Sequence, residues 1–203
     1  QFARRLFYPC FALAHRLRWR GAERGPQSGP AIIAANHQGF YDPVLIGIAE
    51  PRRIVYMALA RYFGGRVLGP LMQFCEALPV DESGSVPNAY RGMLKALRGR
   101  RLCGIFPEGR RTTDGRPRSP RPGVGALALA TGAPVIPVSI RGAYHAWPPH
   151  RLLPRPGSIE LLFGYPLHFP KDREASRDAR RRRETARRIM NRIVEGLDEL
   201  AAP

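Results

Sequence analysis

The chain has 203 residues, 44% hydrophobic and 24% charged, which supplies apolar material for one packed domain and excludes a disordered, charge-dominated chain. Lys and Arg number 33 against 16 Asp and Glu, a formal charge of +17, so the partner to look for is anionic: nucleic acid, acidic lipid headgroups or phosphorylated small molecules. Cys10, Cys75 and Cys103 are isolated in apolar surroundings, which suits neither a disulfide frame nor a metal cage.

Residues 2–19 set Phe2, Leu6, Cys10, Leu13 and Leu17 on one helical face, interspersed with Arg4, Arg5, Arg16 and Arg18. Two readings stand for this stretch. It is either a surface helix packed on the domain and kinked at Pro9, or an amphipathic helix within residues 1–24 that lies in a membrane interface. No run approaches the ~20 apolar residues of a spanning helix. The chain opens at Gln1 without an initiator Met, so an upstream anchor is left open.

A turn-rich linker, Gly25 to Pro30, leads into the apolar strand Ala31–Ala35, which runs directly into Asn36 and His37. Asp42-Pro43 is a helix start, with the carboxylate expected at the N-cap and proline in the first turn. A strand is predicted at Arg53–Ala58, a helix around Val67–Phe74, a strand at Ala77–Val80, a helix at Val86–Leu97 and a strand at Leu102–Phe106. Gly123–Thr131 reads as a helix stopped by Gly132, Pro134–Ile140 and Ser158–Phe163 as strands. Residues 171–203 read as a helical segment, from the spacing of Ala186, Ile189, Ile193, Leu197 and Leu200. Strands alternating with helices predict a single α/β domain over residues 1–203. It has a central parallel or mixed sheet flanked by helices, an N-terminal amphipathic helix and a core at residues 30–165.

Two constellations carry chemistry, and each follows a predicted strand, where α/β sheets collect their reactive groups. In the first, Asn36 to Asp42, a carboxylate that folds back onto His37 would fix the imidazole tautomer and stabilise the imidazolium. No Ser sits in a nucleophile elbow, so the natural use of such a base is to deprotonate a substrate hydroxyl. The plainer alternative makes Asp42 an ordinary cap and His37 a loop residue. In the second, Phe106 to Thr112, Gly109 allows positive φ or close approach, and Arg110 and Arg111 offer bidentate contacts to phosphate. Glu108 would orient an arginine or accept a hydrogen bond from a substrate hydroxyl. Between Arg98 and Arg121 there are eight arginines and only two acids, Glu108 and Asp114, an imbalance that favours an anion site.

Taken together, the two blocks resemble the glycerolipid acyltransferase family that includes the lysophosphatidic acid acyltransferases. The family's Asn-His-x-x-x-x-Asp block is matched by Asn36, His37 and Asp42. Its Phe-Pro-Glu-Gly-[Thr/Ser]-Arg-[Ser/Thr] block is matched by Phe106, Pro107, Glu108, Gly109, Arg111 and Thr112, and a late Val-Pro block by residues 135–138. Two positions depart: Arg110 replaces a small hydroxyl residue, and Glu82 stands where an arginine usually follows Asp81. The resemblance implies an acyl donor that is a thioester of coenzyme A or acyl carrier protein, with no other cofactor. It implies a lysophospholipid acceptor such as lysophosphatidic acid, catalysis by His37 and Asp42, and substrate binding by Glu108, Gly109, Arg110 and Arg111. It also implies work at the cytoplasmic face of a membrane, peripherally, on an anionic surface.

The alternatives are the same chemistry on another lipid acceptor, such as a lyso-ornithine lipid, or a non-enzymatic basic domain binding phospholipid or nucleic acid. The sequence argues against nucleic acid, with no aromatic platform, zinc spacing or helix-turn-helix signal. No metal is expected, because the five histidines are dispersed.

Overall fold

Five consecutive apolar residues with no charge among them need cover on both faces of a strand, and Ala31–Ala35 obtains it at the centre of a sheet. The computed structural model describes residues 2–66, 69–70, 72, 77–80, 87–148, 150–151 and 153–202. In chain order the elements are α1 (Phe2–His15), β1 (Arg18–Arg20), β2 (Ala31–Ala35), α2 (Asp42–Ala49), β3 (Ile54–Val55), β4 (Met57–Leu59) and β5 (Leu78–Val80). There follow α3 (Pro87–Arg98), β6 (Leu102–Ile105), α4 (Gly123–Thr131), β7 (Val135–Arg141), α5 (Ala143–Ala146), β8 (Glu160–Phe163) and α6 (Ala179–Ala201).

The main sheet has the order β1-β8-β7-β2-β6-β3. Strands β7, β2, β6 and β3 are mutually parallel, β8 runs antiparallel to β7, and β1 is parallel to β8, so the sheet is mixed. Alternate residues of β2 feed the two sides. Ala31, Ile33 and Ala35 join Leu45, Ile46 and Phe11 on the face covered by α1 and α2. Ile32 and Ala34 join Met93, Leu127, Ala186 and Ile189 on the face covered by α3, α4 and α6. The α/β expectation of a sheet flanked by helices holds.

Helices α4 and α6 meet backbone to backbone. A Cβ added at Gly125 would lie 2.1 Å from the Arg182 carbonyl oxygen, which is why glycine occupies a helix interior there. Asp178 caps α6, its Oδ1 accepting from the Arg181 amide at 2.8 Å. The helix therefore begins at Ala179, and residues 173–177 of the expected segment form turns instead.

Three other expectations change. The N-terminal helix stops at His15 and does not reach residue 19. Arg16 takes φ 42, Leu17 is buried, and the Arg18 amide donates to the Ile159 carbonyl at 3.0 Å, drawing the chain into β1. Its buried face is not the expected one either: Phe11 is 8% exposed and Leu13 89%. The side chains of Phe2, Leu6 and Cys10 lie outside those described. The strand predicted at Arg53–Ala58 is split at Tyr56, β3 pairing with β6 and β4 with β5. The Tyr56 ring fills the space over Gly104, where a Cβ would approach it to 2.1 Å. The helix predicted around Val67–Phe74 falls largely outside the described residues, as do Cys75 and Glu82. Among the described residues, no helix is long and apolar enough to cross a membrane.

Candidate active site

Adjacent parallel strands β2 and β6 end side by side, with Ala34 opposite Ile105, so the two loops that follow them emerge together. Asn36 fixes the first loop. Its side-chain amide donates to the Ile140 carbonyl at 2.9 Å and accepts from the Ile140 amide at 2.8 Å, extending the pairing of β2 with β7 beyond the strand itself.

Beyond it the chain turns back on Asp42. One carboxylate oxygen, Oδ2, accepts from His37 Nδ1 at 2.7 Å, from the Gln38 amide at 2.6 Å and from the Gly39 amide at 2.9 Å. Asp42 is therefore not the helix cap that the Asp-Pro pair suggests. It is the first residue of α2, preceded by Tyr41, and its carboxylate serves the loop rather than the helix amides. The Asp42 side chain is wholly buried, while the imidazole remains 19% exposed. With Nδ1 committed, Nε2 is the nitrogen left to exchange a proton. The Phe106 ring stacks on the imidazole at 4.0 Å between centroids and 14° between planes, and Tyr56 lies parallel on the far side of Phe106 at 6.1 Å.

The second loop is tied to the first through main chain. The Thr112 amide donates to the His37 carbonyl at 2.8 Å. Glu108, 4% exposed, accepts from the His37 amide at 2.8 Å through Oε1 and from the Arg118 amide at 3.0 Å through Oε2. Both oxygens are thus spent on backbone N–H groups, not on an arginine or an open face. Gly109 has φ 71 and lies under Arg121, whose Cδ and Nε would sit 2.7 Å from an added Cβ. Sequence reasoning missed Gln38 and Tyr144. The Gln38 side chain donates to the Gly115 carbonyl at 3.3 Å, and the Tyr144 hydroxyl donates to the Thr113 carbonyl at 2.7 Å. Tyr144 lies 106 residues from Gln38, and no local pattern marks it.

The structure separates the two arginines of the motif. Arg110 is exposed and lines a groove of about 590 Å³ on the loop. Arg111 is half-buried, is not part of that lining, and immediately precedes the residue whose amide meets His37. Among the described residues, no group of three or more His, Cys, Asp or Glu could hold a metal ion.

Burial holds the Glu108 carboxyl above the ordinary carboxylate range, and the amides of His37 and Arg118 pull it partly back. The folded chain then holds this proton more tightly than the unfolded one. The contribution to stability is fully present below the unfolded pKa of about 4.3 and is lost as pH rises through the raised native value. Glu108→Gln is expected to remove that slope, checked by urea midpoints across the acid limb; an identical slope in the variant would assign it elsewhere.

A family model described as Acyltransferase matches residues 16–141, more than half of the chain. The chain therefore belongs to the acyltransferase family and is an enzyme of acyl transfer. Among its relatives is the 1-acyl-sn-glycerol-3-phosphate acyltransferase of Bacillus subtilis, 29% identical over 147 residues that cover 72% of this chain and 71% of the relative. Another is a chloroplastic 1-acyl-sn-glycerol-3-phosphate acyltransferase of Arabidopsis thaliana, 24% identical over 161 residues that cover 77% of this chain and 45% of the relative. The crystal structure of the 1-acyl-sn-glycerophosphate acyltransferase PlsC from Thermotoga maritima shares the fold. Its TM-score is 0.84 at 23% identity, over 100% of this chain and 79% of that one.

Proposed function

We propose that the protein transfers a fatty acyl group from a thioester donor to a hydroxyl of a phosphate-bearing lysolipid, with His37 as general base. The observation that carries this reading is the sealed Asp42 carboxylate 2.7 Å from Nδ1 of a partly exposed imidazole. In the reaction, His37 Nε2 takes the hydroxyl proton as the acceptor oxygen attacks the thioester carbonyl carbon. The C–O bond forms, the C–S bond breaks, and the imidazolium returns the proton to the departing thiolate. Asp42 holds the ring and balances its transient charge. No covalent acyl-enzyme is needed. Glu108 acts as a positioning residue, because its two oxygens fasten the His37 amide to the arginine loop.

Arg111 is the residue assigned to the acceptor phosphate, supported by its place one residue from the amide that meets the His37 carbonyl. The acceptor is the class for which the relatives are named, a 1-acylglycerol 3-phosphate. The reading includes peripheral work on an anionic membrane surface. It is supported by the exposed Leu13 and Leu153, which belong to segments joined where the Gly157 amide donates to the Ala14 carbonyl.

An acyl-transfer assay on lysolipids carried in anionic or neutral vesicles tests this directly. Arg111→Ala is expected to weaken phosphate-bearing acceptors by about ten-fold more than neutral alcohols, the scale of one charged hydrogen-bonded contact. Equal losses for both would remove phosphate recognition from Arg111, and equal rates on both vesicle types would remove the anionic surface.

A further inference from the structure

The arginine loop has a second concave face that the acceptor reading does not use. The groove of about 590 Å³ is lined by Arg110, Arg116, Arg118 and Arg121, together with Glu108 and Asp114. Both acids are held by the loop's own hydrogen bonds, and their two charges offset only part of the four guanidiniums, Asp114 acting on Arg116 at longer range than an ion pair. Glu108 gives one oxygen to each of two backbone amides, and Asp114 Oδ1 accepts from the Thr112 hydroxyl at 2.8 Å and the Arg116 amide at 3.0 Å. Among the described residues, none of the four guanidiniums has an ion-pair or hydrogen-bond partner. The start of α4 adjoins them directly after Arg121 and Pro122, with no side-chain cap and open space at Gly123. The helix start lies outside the groove lining itself and sets a positive dipole end next to it along the chain.

We propose that this groove seats the nucleotide end of the acyl donor, binding the diphosphate and 3′-phosphate of a coenzyme-A-type thioester. The assignment rests on the acyl-transfer reading and names its donor. Charge supports it: one acceptor phosphate is satisfied by one or two guanidiniums, whereas four beside a helix start match a ligand with several phosphates. The volume lies within the range of about 300–1,000 Å³ usual for small-molecule sites. The polar lining suits phosphates rather than an acyl chain. Position also supports it, because Glu108 is at once a wall of the groove and the anchor of the His37 amide at 2.8 Å. A donor held there lies on the loop that is fastened to His37, and its pantetheine arm spans the remaining distance to the base. The same placement accounts for Arg110 at a position where a small hydroxyl residue is usual: its side chain serves this groove and not the acceptor.

Calorimetric titration of the intact protein with coenzyme A, dephospho-coenzyme A and inorganic phosphate tests the assignment. Coenzyme A should bind most tightly. Arg116→Ala with Arg121→Ala should weaken it by at least about ten-fold, and Arg110→Ser should do so to a lesser degree. In transfer assays the paired variant should raise KM for acyl-coenzyme A while leaving acyl-pantetheine, which has no phosphate, and the acceptor KM unchanged. Unaltered coenzyme A binding in the paired variant, with its far-ultraviolet spectrum intact, would overturn the proposal. So would equal losses with the two thioesters, a rise confined to the acceptor KM, or a loss seen only with acyl carrier protein as donor. Coenzyme A binding that depends on these arginines, without transfer from any donor, would support the groove and sink the acyl-transfer reading.

Discussion

Replacing His37 by Ala is expected to lower acyl transfer by at least about 10²-fold, the lower end for a positioned general base. Stability should change much less than rate. The loop is held at this residue by main chain, through the His37 amide to Glu108 and the His37 carbonyl to Thr112, and alanine keeps both contacts. What the substitution removes is Nε2, the ring stacked on Phe106 and one of the three donors on Asp42 Oδ2, whose other two donors are main-chain amides and remain. Initial rates at saturating donor and acceptor, compared with melting of the same samples, separate chemistry from folding. A rate equal to wild type would take the imidazole out of the mechanism.

Asp42→Asn is expected to damage both. Three N–H donors converge on one oxygen, while Oδ1 is buried and has no hydrogen-bond partner among the described residues. An asparagine can turn its amide nitrogen toward the three donors, which leaves them facing another donor. It can instead keep oxygen there and bury the amide group where Oδ1 now sits. In the second arrangement the neutral oxygen holds the donors less well and no longer balances a charged imidazole. Activity should fall on the order of 10²–10⁴-fold. Unfolding should become easier by about 1–3 kcal/mol, the scale of a buried polar group left unsatisfied. The signature is a paired loss, an inactive enzyme with a lower urea midpoint. An unshifted midpoint would mean that the triple contact on Oδ2 contributes little to folding.

Much of the scaffold was legible because short-range patterns determine it. Ala31–Ala35 and Gly123–Thr131 form over the expected residues, the helix closed by Gly132 at φ 67. Misreadings came where distant residues decide. Leu17 looked like the next turn of α1 until Ile159, far along the chain, offered its carbonyl to Arg18. The Arg53–Ala58 run has strand composition throughout, and its division at Tyr56 depends on the missing side chain at Gly104. In the site, residue types and order offered His37 and Asp42 as a candidate pair. Direction did not follow from them: an aspartate before proline has the same local signature whether it caps its own helix or turns back. Glu108 and Arg110 show the same limit. Their identities announced a charged loop, but which atoms stay open depends on the Arg118 amide and the fold of residues 113–121.

The sheet places its shortest strands at its margins, with the two residues of β3 at one side and the three of β1 at the other. Arg18 and Arg20 stand exposed on β1. Unsatisfied strand borders invite another molecule to add itself, and short ones, flanked by arginines on the β1 side, offer it little to grip. A chain whose central strand, Ala31–Ala35, is an unbroken run of Ala and Ile is thereby shielded from sticking to its own copies.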